Sequence, residues 1–333
     1  MPAVTRPAPP LHAIAYEHAA ALIGRSPWEA SRDPGLLVEA HARSHRLYDT
    51  AGEVLGIDVY LLEAEAMGAR VGTEDPRAMP AIERHPLASF TELGQAQRID
   101  LNAGRLTDTL GAADAFAAHE PAAWAGVPLA GPYAVASGLV GMTEVLMAAA
   151  DEPCGVAEGL VRLVDALEPW HEAVRRSGHR PVVFESGVAP PLMSPPLFRD
   201  AVRPALERML ERLGAGGRRP ILIIGGDASA IAEDLATLPT ASLIAPRETN
   251  QPAFLSRCPP RDDRLVRVNM DSRVFAGDDF HAVEAEWRRA RDIVSAYPHT
   301  SVGTGVLPFD ANPETVRTLL NLATRDSLAA FRG

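Results

Sequence analysis

Acidic, aromatic and hydroxyl side chains gather where the short apolar runs of this sequence stop. Glu63 and Glu65 close the run 58–62, Tyr133 follows 127–130, and Glu185 follows 181–184. Asp227 follows 220–224, Arg247 and Glu248 follow 241–245, Asp271 follows 265–269, and Thr304 follows 300–303. Carboxylates placed this way can do acid–base work when one of them is desolvated. Glu185 and Asp227 are the candidate bases, with Tyr133 beside them as a catalytic candidate. Arg247 is a candidate anion clamp, and Glu63, Glu248, Asp271 and Thr304 complete a candidate substrate-binding set. Each has a plainer reading. Glu63 suits the first turn of a helix, where acids favour the positive dipole end. Asp227 suits an N-cap of the helix that follows it.

Other chemistries are thinly represented. His41 and His45 stand at i, i+4, a spacing metals use, but no HExxH accompanies them, and a solvated helix face is the reading. Cys154 and Cys258 are the only cysteines and are far apart, which excludes a disulfide framework and a cysteine-only metal site. A buried structural role is expected for each. There is no lysine, so Schiff-base chemistry is absent. No GxGxxG, Walker loop or GxSxG elbow is present.

The elements that must position these residues follow from the periodicity. The chain has 333 residues, 47% hydrophobic and 23% charged, a size and composition that bury a full core. Its net charge of −11, without a basic run, argues against a nucleic-acid partner. No run of 18 apolar residues spans a membrane, and residues 1–10 lack an apolar signal core, so a reducing cytoplasm is expected. Residues 1–11 read as a disordered arm, and 12–55 as a helical extension with one long stretch over 36–55 closed by Gly56. The strand candidates are the seven apolar runs named above. Helical candidates are 142–149, 156–176, 195–213, 228–237, 280–295 and 313–323. Continuous apolar strands alternating with helices mean parallel strands covered on both faces, and this many units favour a (β/α)8 TIM barrel. Residues 12–333 then form a single domain, with 69–124 an irregular excursion placed to serve as a lid.

At its strand ends the chain resembles the uroporphyrinogen decarboxylase superfamily. The resembling stretches are GIDVYLLEAEAMGARV (56–71), PLAGPYAVASGLVGMTEVLMAAADEP (128–153), PPLMSPPLFRDAVRPAL (190–206), ILIIGGDASAIAEDL (221–235), VRVNMDSRVFAGD (266–278) and SVGTGVLPFDANPETV (301–316). They run in the family's order through nearly the whole chain. The resemblance implies a (β/α)8 barrel and either haem-pathway decarboxylation or corrinoid-linked methyl transfer. The decarboxylases' arginine-rich MRQAGRY-like motif is missing, and their GHGVLP reads GTGVLP here, with Thr304 in place of histidine. The methyltransferase branch is the closer match at LEAEAMGA. Its zinc ligands, however, fall on Ile223, Gly225 and Val306, which cannot ligate, so the resemblance carries over no metal site and no zinc.

Three readings result. The first is a methyltransferase-type enzyme acting at the barrel mouth on a small methylated or corrinoid-linked substrate, with a corrinoid or a corrinoid protein as cofactor or partner. The second is a decarboxylase or lyase on a carboxylated, tetrapyrrole-like substrate. The third is a non-catalytic barrel that binds a tetrapyrrole, a corrinoid or a partner protein. Family decarboxylases are commonly dimers, which makes a homodimer an expectation by resemblance.

Overall fold

The strands that build the sheet are short and apolar on the side that faces the helices. The structure, a computed structural model, describes residues 10–94 and 97–330, with side chains as far as Ser327. In chain order the strands are β1 (Leu11–Ile14), β2 (Gly52–Val54), β3 (Arg70–Gly72), β4 (Ala81–Arg84), β5 (Trp124–Ala130), β6 (Arg180–Glu185), β7 (Ile221–Ile224), β8 (Ser242–Ala245), β9 (Leu265–Asn269) and β10 (Thr300–Val306). Eight of them form one sheet in the order β1-β10-β9-β8-β7-β6-β5-β2, every pairing parallel. Helices cover its outer face, and the sheet curls into a (β/α)8 barrel. Among the described residues no ladder joins β1 to β2. Side chains bridge that seam instead: Ile14 of β1 and Val54 of β2 belong to one lumenal cluster with Val59, Val182 and Phe184.

Six strand candidates stand where the sequence places them; the start of the chain differs. Residues 1–9 of the expected arm lie outside the described residues, but Leu11 already opens β1. The carbonyl of Pro10 accepts Val302 N at 2.9 Å, and Ile14 N donates to Thr304 Oγ1 at 3.1 Å. The expected helices are present at Glu17–Leu22, Pro27–Arg32 and Pro34–Tyr48, and they form the crossover from β1 to β2. Ser26 and Glu29 make a reciprocal capping box. The long helix stops at Asp49 in the left-handed region, not at Gly56.

The strand expected over 58–62 is a turn leading into the helix Leu62–Ala66, and β2 lies earlier. β2 was hidden because its central residue is Glu53, an acid that strand patterning excludes. Glu53 is buried because Thr50 Oγ1 (2.8 Å), Ser44 Oγ (3.2 Å) and His41 Nδ1 (3.3 Å) satisfy it. His41, expected on a solvated face, is therefore fully buried, with its Nε2 3.2 Å from Gly56 O.

The helix expected over 156–176 is two, Pro153–Ala166 and Glu168–Ser177, broken at Leu167 before Pro169. Cys258 is buried as expected, while Cys154 is exposed. The 69–124 segment holds the antiparallel hairpin β3–β4 and the helix Leu106–His119. No single helix among the described residues is long and apolar enough to cross a membrane.

Candidate active site at the barrel mouth

In a barrel the strands' C-terminal ends open on the functional face. Here a cavity of about 320 Å³ lies at that end, walled by Ile14, Val59, Leu61, Phe184, Ile223 and Val306. Its polar lining is Tyr16, Glu17, Asp58, Tyr60, Arg267 and Asn269, and Met79 and Pro80, between β3 and β4, reach over it. Tyr16 and Tyr60 both meet Phe184 edge-on, with ring centroids at 5.9 and 5.6 Å. A second chamber of about 300 Å³ opens at the opposite pole, with His12, Glu53, Trp124 and Arg180 in its lining. Ile14, Tyr16, Ile223 and Arg267 belong to both chambers and separate them.

The charges in the mouth cavity differ in how far they are committed. Asp58 receives both Nη atoms of Arg105, at 2.9 and 2.7 Å. Arg105 also donates from Nε to Glu65 at 2.7 Å, and Arg32 reaches Asp58 and Glu65 at 3.5 and 3.2 Å. That four-residue network fixes the loop after β2. Glu17, in the first turn of its helix, has no ion pair among the described residues, and burial pushes its carboxyl up, partly offset by its own backbone N–H. Arg267 has no ion pair among the described residues either; its Nε donates to Asn269 Oδ1 at 3.2 Å. Burial pushes Arg267 down to about 10, opposed by Tyr16, so it remains a cation at neutral pH. His12 below it is pushed down to about 4, first by burial and then by that cation.

None of the candidate catalytic and substrate-binding residues named from sequence lines this cavity. Glu185 sits one layer outside it. Its two oxygens accept Tyr133 N (3.1 Å) and Ala134 N (2.8 Å), at the start of the helix Pro132–Val140. Burial pushes it up to about 8 despite those bonds, and its charge in turn raises Tyr60 to about 12 behind the larger effect of burial. A Cβ on Gly131 would overlap the Glu185 carboxylate, so glycine is needed for that approach. The Tyr133 hydroxyl is buried without a well-formed hydrogen bond, near an equally unpartnered Ser137 Oγ.

Glu63 is fully buried. Its Oε1 accepts Ala130 N at 3.1 Å and Trp170 Nε1 at 3.0 Å, its Oε2 has no partner, and burial pushes it up to about 7. Asp227 caps the short helix after it, accepting Ser229 N and Asn250 N. Burial pushes its carboxyl up, but those bonds outweigh burial and hold it low. Thr304 ties β1 to β10. On the outer rim, Arg247 pairs with Glu286 at 3.1 Å and Asp271 with Arg273 at 2.6 Å, and Glu248 is exposed. Glu185 and Tyr133 are thus brought together, as are Arg247 and Asp271, which share Glu286 Oε1 on the rim, while Glu63 and Asp227 stand at separate places.

Sequence reading passed over Tyr16, Glu17 and Arg267. The first two depend on β1, whose four residues were read as arm and helix. Arg267 did carry a signal: it is a lone cation inside the apolar run Leu-Val-Arg-Val-Asn of a parallel sheet, whose strands are otherwise apolar on both faces.

The uroporphyrinogen decarboxylase (URO-D) family model matches residues 7–325. The chain belongs to the URO-D family. Among solved structures this family member is similar to a methyltransferase from Methanosarcina mazei, with a TM-score of 0.81, 18% identity, and 96% of this chain and 94% of that one covered. It is also similar to a B12-independent methionine synthase from Shewanella sp. (TM-score 0.56, 11% identity, 98% of each chain). A third is a putative vitamin-B12 independent methionine synthase from Listeria monocytogenes (TM-score 0.51, 13% identity, 90% and 86% covered). At these identities the likeness is one of fold. No curated protein sequence matches the chain.

The zinc ligands of the family's methyltransferase branch do not fit this member. Two of the positions where they would fall, Ile223 and Val306, are apolar walls of the mouth cavity, and the third is Gly225. Among the described residues no group of three or more His, Cys, Asp or Glu side chains could hold a metal.

Proposed function

We propose that this URO-D family member is an enzyme of methyl-transfer type whose small substrate binds in the mouth cavity, with Glu17 as the general base. The observation that carries the reading is Glu17 itself, the carboxylate of that cavity without an ion pair, beside walls where the resemblance would place a thiolate-forming metal. A methyl acceptor bearing an S–H or N–H must shed its proton as its lone pair takes the methyl group, while the donor keeps the bonding electron pair. A carboxylate with a raised pKa is suited to take that proton. Tyr16 and Tyr60 supply hydroxyls at the same place, and Glu185 positions the helix that carries Tyr133. We further propose that the β3–β4 hairpin, through Met79 and Pro80, acts as the lid.

The cavity volume favours this over tetrapyrrole decarboxylation. About 320 Å³ is at the low end of small-molecule pockets, too small to enclose a tetrapyrrole or corrinoid ring. A methyl donor of that size would have to approach from outside. The test is to incubate the protein with methylcobalamin or a methylated amine and a panel of small thiols, and to follow methylated product and carbon dioxide by mass spectrometry. Methylated thiol supports the reading. Carbon dioxide from a carboxylated substrate, without methyl product, replaces it with the lyase reading.

A further inference from the structure

We propose that Arg267 is a recognition point for a carboxylate, so that the ligand of the mouth cavity is a compact monocarboxylate with an apolar body. This rests on the proposed function for the place of the site and not for its reaction. Val266 and Val268 of β9 are wholly buried, and the alternate residues Arg267 and Asn269 line the lumen. The Arg267 Nε is spent on Asn269 Oδ1, and its two Nη atoms have no hydrogen-bond partner among the described residues. The nearby acids do not neutralise it. Asp58 is held by Arg105, Glu53 is satisfied by Thr50, Ser44 and His41, and Glu17 shares the cavity without pairing to it.

Arg267 is half-buried, and a guanidinium with two open amino groups among the apolar walls of the cavity keeps part of its desolvation cost until something pairs with it. The pair left open is the end-on fork that matches the two oxygens of a planar carboxylate.

The fold makes room for this arrangement at one glycine. A Cβ on Gly303 would overlap Asn269 Oδ1 and come within 3.0 Å of Arg267 Cδ and Ile14 Cδ1. The rest of the ligand is specified by the walls. Phe184, Ile223 and Val306 call for an apolar body, and one open cation calls for one negative charge.

The test is titration calorimetry with hexanoate and benzoate against hexanamide and benzamide, with inorganic phosphate and sulfate alongside. Carboxylates are expected to bind about tenfold or more tighter than their amides, the scale of a charge-assisted pair. Arg267→Met, of similar length, should bring the two within about twofold, since the charged partner is gone. Arg267→Lys keeps the charge without the fork, and should weaken carboxylates several-fold while leaving the amides unchanged; it stands in if the methionine variant does not fold. The proposal is overturned by equal binding of acid and amide, by a preference that survives in Arg267→Met, by phosphate or sulfate binding more tightly than either carboxylate, or by no carboxylate binding at all. Because the readout is binding, failure to transfer a methyl group with carboxylate preference intact would sink the reaction and leave this site standing.

Discussion

Glu17 and Glu63 are both acids whose affinity for a proton is raised by burial, yet they answer pH through different observables. Glu17 faces the cavity, and as a base it must be ionised. The rate should therefore rise with pH through its raised pKa, and Glu17→Gln should remove that limb with a loss of roughly 10²–10⁴ in rate. A pH–rate profile that keeps its acidic limb in the variant would dismiss Glu17 as the base.

Glu63 is packed between barrel and helix and speaks through stability. It releases its proton near 4.5 when unfolded and near 7 when folded, so only the folded state holds the proton between those values. Its contribution is complete below pH 4.5 and is lost as pH rises to about 7, a change of at most about 3 kcal/mol. Glu63→Gln keeps the shape without the charge, and should flatten the fall in stability over that window. Glu185 adds a dependence of the same sign up to about 8, so part of the slope should remain. Urea midpoints at pH 5, 7 and 8 for both proteins measure it, and an unchanged slope would mean that Glu63 is ionised in the fold.

Among the elements, the loop after β2 is the one most dependent on charge. Arg105, at the start of the helix Leu106–His119, holds Asp58 and Glu65 together. Arg105→Met would leave Asp58 buried with only Arg32 nearby, at 3.5 Å, and should cost about 3–5 kcal/mol. Adding Asp58→Asn should recover part of that loss, and a double-mutant cycle by urea denaturation measures how much. The same loop shows how far the sequence could be read. Strands β5 to β10 announce themselves because their apolar runs are continuous. β1 and β2 do not, being four and three residues long with His12 and Glu53 inside them. The consequence passed to the site: the candidates were taken from the ends of recognised runs, and Glu185, Asp227, Asp271 and Thr304 cap helices or join strands there, whereas Glu17 follows a strand that was missed. Arg267 failed for another reason. An interior cation contradicts the patterning that identifies a strand, so the feature on which its proposed role rests made it look like an exception.

At the scale of the molecule, the barrel is a ladder of seven parallel pairings with its ends at β1 and β2, closed by side chains across the seam. Backbone groups along that seam lack the second neighbour that β6 and β7 possess. Hydrogen exchange should therefore reach β1 and β2 first and β6 and β7 last, as read by mass spectrometry of the corresponding peptides. Equal protection across all of them would show that the seam opens only with the whole fold. The seam also adjoins the site, because Ile14 and Tyr16 stand at the end of β1, and Asp58, Val59 and Tyr60 stand beyond β2. Packing there sets how tightly the mouth is held.

The layer of Ile14, Tyr16, Ile223 and Arg267 is floor to the mouth cavity and roof to the chamber beneath it. A guest seated head-down on that floor cannot gain depth by growing. Each added methylene extends its tail toward Met79 and Pro80 until the hairpin has to stand ajar. With the proposed carboxylate on Arg267 the floor would work as a ruler, and the members of a homologous series would be sorted by where their tails end rather than by how their heads are held.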